Sequence, residues 1–260
     1  MNRNLNIILV FCLIWVTLIS NGKEKKQKHN IYTYAEETVP ERRCRKILPQ
    51  PEDEEKDKDK NNLLSEFKTY NIGKNIQPGS VTTEDSIIEI AASGTDIWGT
   101  EDEGYFVFKQ IKGDFEISVR VHSLSASNLY TKAGIMARQD LSDNSKHVYF
   151  LVFPDNQERN NNNGGCEFQY RQKRGGESKA IYPGQQTGGD FNVNFPETWI
   201  KLKREGNIFS SFIGSNNENW HLYSTHEQKM PKRLLLGLAV TSHNSYGYTR
   251  TEFSELEIKN

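Results

Sequence analysis

The chain has 260 residues, room for one medium domain with extras or for two small ones. Its 33 Lys and Arg against 34 Asp and Glu leave a formal net charge of −1, which removes any bulk electrostatic case for nucleic acid or an anionic membrane. Three cysteines (Cys12, Cys44, Cys166), with no CxxC pair and no Cys/His cluster, exclude a disulfide-built scaffold and a zinc site of finger-like spacing.

At the N-terminus Arg3 precedes an apolar or hydroxyl run, Ile7 to Ser20, "IILVFCLIWVTLIS". The run falls short of the about 20 residues a spanning helix needs and fits a signal-peptide core. Ser20 and Gly22 are small enough for cleavage after Gly22. Residues 1–22 are therefore expected to be a signal peptide, and the product secreted or extracytoplasmic with no stable membrane span. An uncleaved signal anchor is the alternative. Residues 23–62 carry "KEKKQKHN", "ERRCRK" and "PEDEEKDKDKNN". So few apolar groups cannot offset chain entropy, which predicts a disordered charged stalk. Cleavage would leave Cys44 and Cys166. An oxidising compartment permits a bridge between them, and an intermolecular or unbridged Cys44 is equally compatible with the sequence. No Asn-x-Ser/Thr sequon occurs.

From residue 63 to 260 the pattern is that of one all-β domain. Short apolar-alternating runs are separated by Gly, Asn and Asp clusters: "SIIEIAA", "GYFVFKQI", "FEISVRVHSL", "AGIMAR", "KHVYFLVF", "CEFQYRQK", "TWIKLKREGNIFSSFI", "RLLLGLAV" and "TEFSELEIK". In "FEISVRVHSL", Phe115, Ile117, Val119 and Val121 share one face, and Glu116, Ser118, Arg120 and His122 the other. Roughly ten to fourteen strands and no helix predict a two-sheet antiparallel jelly-roll sandwich.

These segments, in this order, resemble the concanavalin A-like (laminin-G-like) jelly-roll modules of secreted proteins. The likeness is carried by "GTDIWGTEDEGYFVFKQIKGDFEISVRVHSL", "KAGIMARQDLSDNSKHVYFLVFP", "CEFQYR", "WIKLKREGNIFSSFIGSNNENW", "LLGLAVTSHN" and "FSELEI", from Phe67 to Lys259. It implies the sandwich fold and a non-catalytic module, often joined to glycan-degrading enzymes and credited with binding carbohydrate. The Asn-rich loop Pro154 to Gly165 and the stretch Gly175 to Pro196 are longer than that pattern, and no enzyme domain accompanies the module.

Sugar sites use aromatic faces flanked by polar groups. Trp98, Tyr105, Tyr149, Tyr170, Tyr182 and Tyr246 are the aromatic candidates, while Trp199 and Trp220 are assigned to the core. The hairpin Lys132 to Val152 offers an apolar face and a second face with Arg138, His147 and Tyr149, which either lines a groove or is structural. Arg138 suits a buried carboxylate, with Asp96 and Asp140 as partners. The loop Thr241 to Arg250 adds His243 and Asn244 to Tyr246. Structural calcium is conceivable at Asp140, Asp143, Asp155 and Asn156, without any fixed-spacing motif. No paired-glutamate strand pattern and no Gly-x-Ser-x-Gly elbow occur. Glu116, and the pair Glu255 and Glu257, lack supporting cues, so hydrolysis is not expected. The expected function is an exported binding module for a glycan, with a protein–protein interaction subunit as the alternative.

Overall fold

The alternation in "FEISVRVHSL" is realised as strand β7 (Phe115–Leu124), whose Phe115, Ile117, Val119 and Val121 are buried while Glu116, Arg120 and His122 are half-exposed. The computed structural model describes residues 64–74, 77–157, 159, 165–182 and 191–260. The signal segment, the charged stalk, Cys12 and Cys44 lie outside the described residues.

Sixteen strands and no helix occur among those residues, all paired antiparallel. One sheet runs, in spatial order, β1 (Lys68–Ile72), β6 (Gly104–Lys112), β15 (Arg233–Thr241), β8 (Lys132–Arg138), β9 (His147–Val152), β10 (Cys166–Arg171) and β11 (Lys179–Ile181). The other runs β14 (Trp220–Glu227), β13 (Ile208–Gly214), β12 (Thr198–Glu205), β7, β16 (Asn244–Lys259), β3 (Ile87–Gly94) and β2 (Ser80–Glu84). A two-stranded ribbon, β4 (Ile97–Trp98) with β5 (Glu101–Asp102), completes the set. This is the two-sheet antiparallel jelly-roll sandwich that the sequence leads one to expect.

The main core fills the space between the sheets, with Ile90, Ile117, Val119, Ile135, Val148, Phe150, Phe168, Ile200, Leu238 and Phe253 among its members. A second apolar cluster contains Ile72, Ile97, Phe106, Phe108, Met136, Tyr149, Leu151 and Phe153. Consecutive residues divide between the two clusters: Ile135 from Met136, Val148 from Tyr149, Phe150 from Leu151. Because side chains alternate across a strand, the second cluster lies on the outer face of the first sheet. Ile97, delivered by the small ribbon, helps to cover it.

Burial decides between the two readings of the hairpin from Lys132 to Val152 in favour of the structural one, and removes Arg138, His147 and Tyr149 from the ligand candidates. Every residue of β8 and β9 is buried, and the register pairs Arg138 with His147 and Met136 with Tyr149. The face with Arg138, His147 and Tyr149 is covered. Tyr149 is enclosed, its hydroxyl donating to the Ala239 carbonyl at 2.8 Å, and Arg138 and His147 are equally inaccessible. Strands covered on both faces read as near-continuous apolar runs, which accounts for "HVYFLVF".

Of the two tryptophans assigned to the core, Trp199 is buried, on the outer face of its sheet because the next residue, Ile200, enters the main core with Leu202. It packs edge-on against a half-buried Trp220, ring centroids 6.5 Å apart, and Lys201 lies 4.1 Å from the Trp220 ring centre.

Candidate functional site

The outer face of the first sheet is polar toward β10. Alternation in "CEFQYR" sends Cys166, Phe168 and Tyr170 to the main core and leaves Glu167, Gln169 and Arg171 outside. These three would meet solvent on a bare sheet, yet all are buried, and the segment containing β4 and β5 packs on Arg171.

Arg171 fastens that segment. Its guanidinium forms a bidentate pair with Asp102 (2.8 and 2.7 Å) and donates to the Trp98 and Gly99 carbonyls, both at 3.0 Å. A planar fork with five donors suits such a junction, where a lysine would satisfy only part of it. Arg138 lies 3.5 Å from the same carboxylate and donates to the Asp140 and Ser142 carbonyls at 2.8 and 2.5 Å. Its buried carboxylate is thus Asp102, in place of Asp96 or Asp140. His147 Nδ1 is 3.5 Å from Asp102 and is held well below the usual imidazole range, first by burial and then by Arg171 and Arg138. Burial pushes the Asp102 carboxyl up, against the pull of those two guanidiniums.

Beside this junction lies a cavity of about 200 Å³. Trp98, Tyr130 and Tyr182 contribute aromatic walls, and Asp96, Lys132, Glu167, Gln169 and His243 supply the polar lining. Lys132 Nζ donates to Asp96 Oδ1 at 2.6 Å and to the Ile97 carbonyl at 3.3 Å, and lies 5.4 Å from the Trp98 ring centre. His243 occupies the turn between β15 and β16 with φ of 53°; its Nδ1 is 3.2 Å from Asp96 Oδ2 and its ring centre 5.5 Å from that of Tyr130. Burial raises the Asp96 carboxyl, but Lys132 and His243 more than offset this and leave it below its ordinary value. Glu167 differs: burial dominates and lifts its carboxyl, with Lys132 opposing. Gln169 Nε2 donates to Glu167 Oε1, and Gln169 Oε1 has no hydrogen-bond partner among the described residues.

Of the sequence candidates, Trp98, Tyr182 and His243 meet in this cavity. Tyr105 is part of the main core. Tyr170 packs at that core's margin, stacked on His226 with centroids 3.8 Å apart. Asn244 caps the neighbouring backbone, accepting from the Tyr246 amide at 3.0 Å, and Tyr246 is widely exposed outside the cavity lining. Lys132, Glu167, Gln169 and Tyr130 were not singled out. The available signal was the polar set Glu167, Gln169, Arg171 at alternate positions, which alternation alone assigns to a solvated face although all three are buried.

Cys166 ends in the main core, and its carbonyl accepts from the Tyr223 hydroxyl at 2.9 Å; a bridge to Cys44 involves a residue outside the described set. The four residues weighed for calcium are engaged separately. Asp140 pairs with Arg174 and Asp155 with Arg159. Asn156 bonds both backbone groups of Val193, and the Asp143 carbonyl accepts from the Asp102 amide. Among the described residues no three His, Cys, Asp or Glu side chains gather as metal ligands.

No family model and no curated protein matches the chain. Solved structures do. A functionally unknown protein from Saccharomyces cerevisiae superposes with a TM-score of 0.56 at 19% identity, over 75% of this chain and 97% of that one. The likeness is one of fold. The GH43 protein BlXynB from Bacillus licheniformis gives 0.49 at 12% identity, over 66% of this chain and only 32% of its own length. The exoplasmic/lumenal domain of VIP36, in a form bound to Ca2+ and Man3GlcNAc, gives 0.44 at 10% identity, over 76% and 87%.

Proposed function

We propose that this chain is an exported, non-catalytic carbohydrate-binding module whose ligand enters the cavity beside Trp98. The observation that carries this reading is the combination of aromatic walls with a buried polar floor. Trp98, Tyr130 and Tyr182 offer flat apolar faces for a sugar ring, while Asp96, Glu167 and Gln169 offer acceptors for its hydroxyls. The floor is held from below, since Arg171 and Asp102 fix the backbone of Trp98 and Gly99. A cavity of about 200 Å³ admits on the order of seven waters at ~30 Å³ each, a volume suited to one pyranose ring.

The test is a glycan array probed with the full chain, with calcium and with a chelator, alongside Trp98→Ala. Selective binding that the variant loses supports the cavity as the sugar site, and chelator sensitivity would add a metal requirement. A blank array from well-folded protein would overturn the reading. It would move attention to a protein partner, for which the exposed Ile208 and Leu222 on β13 and the edge strand β14 provide an apolar surface.

A further inference from the structure

The balance of charge and hydrogen-bonding groups in the cavity points to a narrower ligand class. Lys132, 2% exposed, is the one lysine or arginine of the lining, and its ammonium is committed to Asp96 and the Ile97 carbonyl. His243 also faces Asp96. Glu167, 5% exposed, has no cation within ion-pair distance among the described residues; its one side-chain partner there is the Gln169 amide. Gln169 lines the cavity, and giving its amide proton to Glu167 leaves its buried Oε1 without a donor among the described residues, at 1% residue exposure. A buried carboxylate with no cation at ion-pair distance and a buried carbonyl without a donor are both costly. They sit two residues apart on one face of β10. A ligand that relieves both must bring hydrogen-bond donors and positive charge.

We propose that the cavity selects a sugar carrying a free amino group, its ammonium seated between Glu167 and Gln169 Oε1 and its ring against the aromatic wall of Trp98. This rests on the carbohydrate reading above and adds the charge of the ligand. An ammonium has three donors and no acceptor, which matches a floor already rich in acceptors. A neutral hydroxyl meets the Gln169 carbonyl but leaves Glu167 without a cation at ion-pair distance. An N-acetyl group loses the charge and brings a further acceptor.

The experiment is isothermal titration of the full chain at neutral pH with glucosamine, glucose, N-acetylglucosamine and cyclohexylamine, the last being an amine without hydroxyls. Glucosamine is expected to bind at least about tenfold more tightly than the other three, the order expected of one desolvated charge pair. Glu167→Gln, which keeps shape and removes charge, should bring glucosamine and glucose within about threefold of each other. Equal binding of glucose and glucosamine by the wild-type protein would overturn the amine inference and leave the carbohydrate reading standing. Cyclohexylamine binding as tightly as glucosamine would overturn the sugar class itself, and no binding of any probe would overturn both. The wild-type comparison decides the question even where the variant fails to fold.

Discussion

His147 shows how one residue ties the fold to proton activity. It is fully buried, 3.5 Å from Asp102 and 3.5 Å from Arg171 Nη1, with Arg138 paired opposite it across the hairpin. Asp102 already faces two guanidiniums, so a protonated His147 would be a third cation around one carboxylate. Its affinity for a proton is therefore depressed in the fold, by burial first and by Arg171 and Arg138 next. The sign follows directly. As pH falls below about 6.5 the unfolded chain takes up a proton that the folded chain refuses. Stability tied to neutral His147 is thus complete above that pH and declines below it by about 1.4 kcal/mol per unit until the folded imidazole titrates. Urea unfolding at about pH 7 and about pH 5 should show the wild type losing roughly 2 kcal/mol more than His147→Gln over that interval. Glu167, raised by burial, acts in the opposite direction, but it is common to both proteins and cancels in the comparison. Parallel pH profiles for the two would show that His147 titrates normally in the folded protein, and would sink this account of the cluster.

At the scale of elements, two glycines separate close strand approach from turn geometry. Gly134 of β8 has no unusual φ, yet a Cβ there would lie 2.2 Å from the Phe150 carbonyl oxygen and 2.6 Å from the Leu151 Cα of β9. Gly113, between β6 and β7, has φ of 93° and no atom within 4 Å of the added Cβ. Gly134→Ala must move backbone in the middle of a sheet covered on both sides and should cost about 2–3 kcal/mol. Gly113→Ala meets only backbone strain and should cost about 1 kcal/mol. Urea midpoints of the two variants give the order, and the reverse order would refute the packing argument. The same elements show why some features can be read from the chain and others cannot. β7 was legible because one of its faces is solvated and the other enters the core, so its alternation is clean. The role of the hairpin face with Arg138, His147 and Tyr149 stayed open between groove and structure, because Ile97 and Asp102, which close it, come from the separate segment of β4 and β5. The cavity was legible only at Trp98, Tyr182 and His243, the types that advertise themselves. Lys132, Glu167 and Gln169 carry the pattern of an exposed strand face, and nothing local to β8 or β10 announces their burial.

At the scale of the molecule, the last two strands occupy central positions. β15 lies between β6 and β8 in one sheet, and β16 lies between β7 and β3 in the other. Neither sheet is continuous until the end of the chain has been added, and the pairings that close them span long sequence separations, such as Thr249 with Ala92 and Thr251 with Leu124. Such topology makes folding depend on non-local contacts. The cavity inherits the dependence, because its walls come from Asp96 and Trp98, from Tyr130 and Lys132, from Glu167 and Gln169, from Tyr182 and from His243, the last held in the turn that joins β15 to β16. Ending the chain after Ser242 deletes His243 and all of β16, withdraws the buried Phe253 from the core, and leaves β7 and β3 without the strand between them. Unpaired backbone in the middle of a sheet and a gap in the core each cost several kcal/mol, against a typical total stability of about 5–15 kcal/mol. The truncated chain is therefore expected to show no cooperative urea transition and no near-ultraviolet signature of packed aromatic rings. A cooperative transition retained by the truncated chain would mean that β7 and β3 close on each other without β16, and that the sandwich does not require its last strand.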